Sequence, residues 1–164
     1  MEMSMTEIEE RLRCFENECR KQGIKRTHQR LEIFREVAQS TEHPDAEKIY
    51  QSVSSRIPTI SLDTVYRTLW MLKDLGLITT LGSPRERTRF DANLDHHHHF
   101  VCVKCGLTRD FYSDALDKLE LPESLLSIGH PVKTQVEVNG LCRECAEGAK
   151  PGKKREQTRR NLND

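Results

Sequence analysis

The chain has 164 residues, 35% of them apolar and 32% charged, with 8 Gly and 6 Pro, a make-up that excludes collagen-like, low-complexity and membrane-spanning chains. No apolar run approaches the ~20 residues of a membrane span, and Met1 to Glu10 carry no apolar signal-peptide core, so the expected location is the cytoplasm, with no membrane partner. Lys plus Arg and Asp plus Glu balance at 26 each, so net charge alone argues for neither nucleic acid nor membrane.

Met5, Ile8, Leu12, Phe15 and Cys19 form an amphipathic stripe, which predicts a helix over 5–21 stopped at Gly23. Thr27 can cap a second helix with Leu31, Phe34, Val37 and Ala38 inward. Asp45, after Pro44, can cap a third with Ala46, Ile49, Tyr50 and Val53 inward. Ser61 can cap a fourth, which Gly76 ends; Leu62, Val65, Leu69, Leu72 and Leu75 lie on one side and Asp63, Arg67, Trp70 and Lys73 on the other. Residues 77–81 and 88–91 read as two strands around a five-residue loop beginning at Gly82. Helices followed by a two-stranded wing predict a winged helix-turn-helix. Further on, 99–102, 107–111 and 132–138 are strand-like, with one short helix at about 113–119 between them.

Charge changes along the chain as the pattern does. Residues 1–90 carry 15 basic and 14 acidic side chains, 91–147 carry 5 and 10, and 148–164 carry 6 and 2. The acidic stretch also holds five of the seven His and four of the six Cys. The expected organisation is α+β: a winged-helix DNA-binding domain over 1–90 with a hinge at about 88–96, a metal-binding α/β domain over 91–147, and a basic tail over 148–164 expected to be disordered.

Cys102-x-x-Cys105 and Cys142-x-x-Cys145 are two chelating pairs, the strongest signal in the chain, and point to a structural Zn2+. The competing readings are disulfides, which would fit an exported chain, and two independent redox pairs. Cys14 and Cys19 have no neighbouring pair and receive no role. Asp95 leads into His96, His97, His98 and His99; on a strand, His97 and His99 share one face and His96 and His98 the other, so one segment can serve two sites. Candidate oxygen partners are Asp91, Asp95, Asp110, Asp114 and Asp117. Ser61, Thr64, Tyr66 and Arg67 occupy the first turns of the fourth helix, where a recognition helix meets base edges. Lys21, Lys25, Arg26 and Arg30, with Arg85, Arg87 and Arg89 in the wing, can meet phosphates.

Gly23 to Arg30, His43 to Tyr50, Ser61 to Leu69, Gly76-Leu77-Ile78, Arg89-Phe90-Asp91, His96 to Gly106 and the closing Cys pair together resemble the ferric uptake regulator (Fur) family of metal-dependent transcription repressors, over about residues 20–146. The resemblance implies an amino-terminal winged helix, a carboxy-terminal α/β dimerisation domain, and a homodimer that grips a palindromic double-stranded DNA operator when metal is bound. It places the regulatory metal, Fe2+ or Mn2+ with Zn2+ as a further option, on His43, Asp91, His97, His99 and Asp110, and an additional metal on His96, His98 and Asp117. At the position where the family often adds a late-strand His, this chain has Thr134. Asp110 stands where iron sensors of the family usually carry Glu, which makes the chain similar to the peroxide-sensing repressors. In those proteins bound ferrous iron reacts with peroxide and oxidises ligand His, here His43 and His97. Iron-, zinc- and manganese-level sensors of the same family are the alternatives. A His/Asn-type metal nuclease is a remote one, since it would need its His on a ββα unit. A zinc-storing module would leave the fourth helix and wing unexplained.

Overall fold

The computed structural model describes residues 4–82 and 88–148. They fall into two compact units, one ending at His97 and the other beginning at His98. Among the described residues no helix is long and apolar enough to cross a membrane.

In the first unit, helix α1 (Met5–Lys21) starts at a reciprocal cap: the Glu7 N–H donates to Ser4 Oγ at 3.3 Å and the Ser4 N–H donates to Glu7 Oε2 at 2.8 Å, satisfying two amides that the helix itself leaves open. Its stripe buries Phe15 and Cys19, and Gly23 follows its end at φ +64°. Thr27 caps α2 (His28–Ala38), Asp45 caps α3 (Ala46–Ser54) and Ser61 caps α4 (Leu62–Asp74), each accepting an amide three residues on. The buried face of α2 includes Ile33 with Phe34, Val37 and Ala38, whereas Leu31 is half-buried. Phe15 stacks on Phe34 with ring centroids 5.1 Å apart. Val65, Leu69 and Leu72 of α4 close the same core. Strands β1 (Thr79–Leu81) and β2 (Arg89–Asp91) pair antiparallel. They are shorter than expected because Leu77 and Ile78 are buried with the helices. Arg85 and Arg87 lie outside the described residues, as does the tail from 149 on.

The second unit is a three-stranded sheet, β3 (His98–Cys102), β4 (Thr108–Phe111) and β5 (Glu137–Gly140), in the order β4-β3-β5. β3 runs antiparallel to β4 and parallel to β5. The alternating run over 132–138 is not one strand: β5 begins only at Glu137, and Val132 is 100% exposed. Alternation marks a strand only where one face is covered, and among the described residues nothing covers Val132. The short helices are α5 (Asp114–Asp117), which lies inside both edges expected for it, then α6 (Glu123–Leu126) and α7 (Arg143–Ala146). The buried cluster of this unit is Cys102, Cys142 and Cys145, with Phe100 and Leu107 packed against it. A Cβ on Gly140 would come within 3.1 Å of the Phe100 ring, so a larger residue there would have to displace that ring.

The class defined by these two units is a helix-turn-helix domain with a two-stranded wing followed by an α/β domain.

Candidate metal centres and recognition helix

Thirty-six residues separate Cys105 from Cys142 in the sequence, and the parallel pairing of β5 with β3 removes that distance. Cys102 lies opposite Gly140 in register, so the chain delivers Cys142 two residues beyond the sheet position of Cys102. The first knuckle is closed by the Gly106 N–H donating to the Cys102 carbonyl and the Cys102 N–H donating to the Leu107 carbonyl, both at 2.8 Å. All four sulfurs lie within 4.8 Å of one another, and Cys105 Sγ is 3.8 Å from Cys142 Sγ. A tetrahedron with zinc–sulfur bonds of about 2.3 Å has edges of about 3.8 Å, whereas a disulfide needs about 2.05 Å. The donor set therefore fits Zn2+. The Cys142 N–H donates to Cys102 Sγ at 3.3 Å, and such backbone donors bring the pKa of the Cys102 thiol down to about 6. Burial pushes that of Cys145 up to about 12. A thiolate packed against thiols that resist ionising is what a divalent cation resolves, because it binds all four as thiolates.

In the first unit, His43, Asp91 and His97 converge, all buried, with ligand atoms within 4.8 Å of one another. The convergence is built by the backbone: the Phe90 N–H donates to the Pro44 carbonyl at 3.0 Å, and Asp45 bridges to Arg89. His43 and Asp91 therefore sit at adjoining ends of one hydrogen-bonded pair of segments. His43 has φ +50°, unlike any other non-glycine residue among those described, a conformation that a β-carbon makes costly and that clusters at working sites. Asp91 Oδ1 accepts from the Asn93 N–H at 2.7 Å. Its Oδ2 lies 3.0 Å from His97 Nε2 and 3.6 Å from His43 Nε2. His97 Nδ1 is 2.7 Å from the Asp95 carbonyl, which can only accept, so Nδ1 carries the proton and Nε2 turns its lone pair toward the carboxylate. Bonds of about 2.0–2.2 Å to one divalent ion place adjacent N and O donors about 3.0–3.5 Å apart, close to the separations found here.

In the second unit, His99 and Asp110 face each other across β3 and β4, with Nε2 and Oδ1 3.4 Å apart. His98, fully buried, is engaged differently. The Val136 N–H donates to its Nδ1 at 3.2 Å, and its Nε2 lies 3.0 Å from Asp117 Oδ1 without making a hydrogen bond. His98, Asp117 and the exposed His96 bring one ligand atom each within 4.8 Å of one another, a grouping that could hold a further ion. Cys14 and Cys19 stand on α1, and neither belongs to a metal-ligand cluster among the described residues.

On α4, Ser61 caps the helix and shares a 2.9 Å hydrogen bond with Thr64. Tyr66 is 41% and Trp70 42% exposed. Arg67 is paired with Asp63 at 2.8 Å and Arg26 with Glu16 at 2.7 Å. Lys25 is exposed near the start of α2, and its carbonyl accepts from Arg30. The groups that sequence reasoning missed are the backbone ones that orient the imidazoles: the Asp95 carbonyl, where the side chain had been the candidate, and the amides of Asn93 and Val136. They have no residue-type signature, so no pattern in the sequence could have shown them.

With a four-thiol centre, buried His/Asp centres and a winged helix on one chain, the class is that of a metal-dependent transcription regulator. The chain belongs to the ferric uptake regulator family, whose model matches residues 21–126. It is 37% identical over 128 residues to the peroxide-responsive repressor PerR of Staphylococcus epidermidis, covering 78% of this chain and 85% of that one. Its fold is similar to that of the ferric uptake regulator of Helicobacter pylori (TM-score 0.70, 22% identity, 89% of this chain and 97% of that), a structure described as having three functional metal-binding sites. It is also similar to the peroxide stress regulator of Campylobacter jejuni (TM-score 0.60, 25% identity, 87% and 100% covered). Members of the family are DNA-binding, dimeric regulators rather than enzymes.

Proposed function

We propose that the chain is a cytoplasmic, homodimeric repressor that binds a palindromic operator when its regulatory site holds Fe2+ or Mn2+, and that it senses peroxide through oxidation of His43 or His97. The observation that carries this reading is the buried His43–Asp91–His97 centre, with two imidazole nitrogens directed at one carboxylate oxygen. The likeness to a peroxide-responsive repressor supports the choice of signal. We assign His99 and Asp110, paired across β3 and β4, to the same regulatory ion, as the family resemblance implies. His97 and His99 then supply neutral nitrogens, Asp91 supplies charge, and burial excludes water. His43, Asp91 and His97 would hold ferrous iron, which would supply the reducing electron for peroxide cleavage, and His43 and His97 are the imidazoles that would meet the resulting oxidant. Leu126, Ile128 and Val132, at 61%, 82% and 100% exposure, offer the apolar surface that a second copy would cover.

The test is to load the zinc-containing protein with Fe2+ without oxygen, add stoichiometric peroxide, and follow DNA binding together with the masses of peptides holding His43 and His97. Loss of binding with one added oxygen on either peptide is expected. Persistent binding with unmodified peptides makes the chain a metal-level sensor instead.

His96, His98 and Asp117 each bring a ligand atom within 4.8 Å of the others, and a further ion is assigned to this set. Metal analysis of the saturated protein is expected to return three ions per protomer, and Asp117→Asn to lower that number by one; a count that this variant leaves unchanged would count against the further ion. On the recognition helix, Asp63 neutralises Arg67. Asp63→Asn is expected to tighten DNA binding by about 0.5–1 kcal/mol, about two- to fivefold, the scale of an exposed pair, with the gain shrinking as salt rises. Equal affinities in a salt titration would mean that Arg67 does not face phosphate or base.

A further inference from the structure

Trp70, the single tryptophan of the chain, projects from the outward side of α4, where a recognition helix presents groups to its ligand. It is held there by Phe90, a buried ring that meets the indole edge-on with centroids 6.2 Å apart and planes at 79°. Lys73 Nζ also stands over the indole, 5.0 Å from the ring centroid. Phe90 lies between Arg89 and Asp91 in β2, and side chains alternate along a strand, so Asp91 reaches toward the imidazoles from one face while Phe90 reaches toward α4 from the other. The amide of this same Phe90 is the one bonded to the carbonyl of Pro44, next to His43. Two ligand-bearing segments and one aromatic contact with α4 therefore meet in a single residue. A small cleft of about 80 Å³, lined by Tyr66, Trp70, Thr88, Phe90 and Ala46 among others, lies at this junction, and it leaves the indole room to shift with Phe90. Tyr66 and Arg67 precede Trp70 by four and three residues, so all three share one stretch of helix surface.

We propose that Trp70 is a positioning residue that passes the state of the His43–Asp91–His97 centre, through Phe90, to Tyr66 and Arg67 on α4. The inference rests on the reading of this chain as a metal-dependent DNA-binding repressor. A change in the separation of His43 and Asp91 shifts β2 against the 43–45 segment, the Phe90 ring moves with its strand, and the indole must follow because the two rings are in edge contact.

The full-length, zinc-containing protein supplies its own probe. Addition of Mn2+ is expected to shift the emission of Trp70, and the shift is expected to vanish in Asp91→Ala. For DNA, the probe is a duplex selected from a random pool by the wild-type protein with Mn2+ present, and the readout is the ratio of affinities with and without Mn2+. A residue that only touched DNA would change both affinities and leave their ratio alone. Trp70→Ala is expected to bind Mn2+ within about threefold of wild type and melt at a similar temperature, yet to lose about tenfold of that ratio, a typical size for coupling between sites. Trp70→Phe, which keeps a ring against Phe90, is expected to restore most of it. An unchanged ratio in Trp70→Ala, or an indole emission blind to Mn2+, overturns the inference while leaving the repressor reading in place. Failure of the wild type to select any duplex overturns the repressor reading, and the inference falls with it.

Discussion

Removal of zinc with a strong chelator is expected to unfold the unit that begins at His98 and to leave the helical unit folded. The buried apolar cluster of that unit is three of the four thiol ligands, with Phe100 and Leu107 against them, so little apolar surface remains to hold the sheet once the sulfurs lose their common ion. Structural zinc contributes about 10–16 kcal/mol of apparent binding free energy in small folds, far more than two half-buried side chains return on burial. The helical unit has its own core, including Phe15, Phe34, Ile49, Val65 and Leu69. Hydrogen exchange read by peptide mass should therefore show β3, β4 and β5 losing protection while α1 to α4 keep it. Cys142→Ser should reproduce the effect without chelator. Retained protection across β3 in metal-free protein would mean that the sheet stands without the ion.

Asp91→Ala is expected to weaken regulatory-metal binding by more than ~100-fold, exceeding the 10–100-fold typical of groups that merely back a ligand, with the zinc of the four cysteines untouched. Asp91 faces both His43 and His97 through one carboxylate oxygen, so its loss removes the charge that balances the ion and the oxygen that the rings share. Asp95→Ala supplies the contrast. Its carbonyl, not its carboxylate, holds His97 Nδ1, and alanine keeps that carbonyl, so metal affinity should change little. A competition titration with a fluorescent chelator separates the two variants. Equal affinities for wild type and Asp91→Ala would place the regulatory ion elsewhere.

Much of this was legible because local chemistry and fold agree. Ser61, Thr27 and Asp45 announce helix starts through side chains that accept amides, and each does so in the structure. The two Cys pairs needed no structural context, since thiol spacing alone encodes a knuckle. The second unit was harder to read because its elements are short and answer to partners far along the chain. Val132 to Val138 alternates like a strand, but the amide of Val136 goes to the His98 ring and its carbonyl to the His99 N–H, so the ladder forms only from Glu137 onward. Four-residue helices such as α6 and α7 give periodicity too little length to register. Leu31 and Ile33 differ by two positions on α2, about 200° around the axis, and the burial of Ile33 reflects tertiary packing that no single helix pattern contains.

The parallel pairing of β3 with β5 also has a consequence for the chain's birth. Between the emergence of Cys105 and that of Cys142 the ribosome adds the 36 residues that separate them, which at ~5–20 residues per second is an interval of about 2–7 seconds. Throughout it the first knuckle has two sulfurs and no sister pair, and the strand that would align them has not been made. A nascent thiol pair in that condition is open to oxidants and to competing ions in a way the finished domain is not. Oxidants can therefore reach this protein while it is still being translated, and the supply of zinc during synthesis sets how many molecules reach maturity.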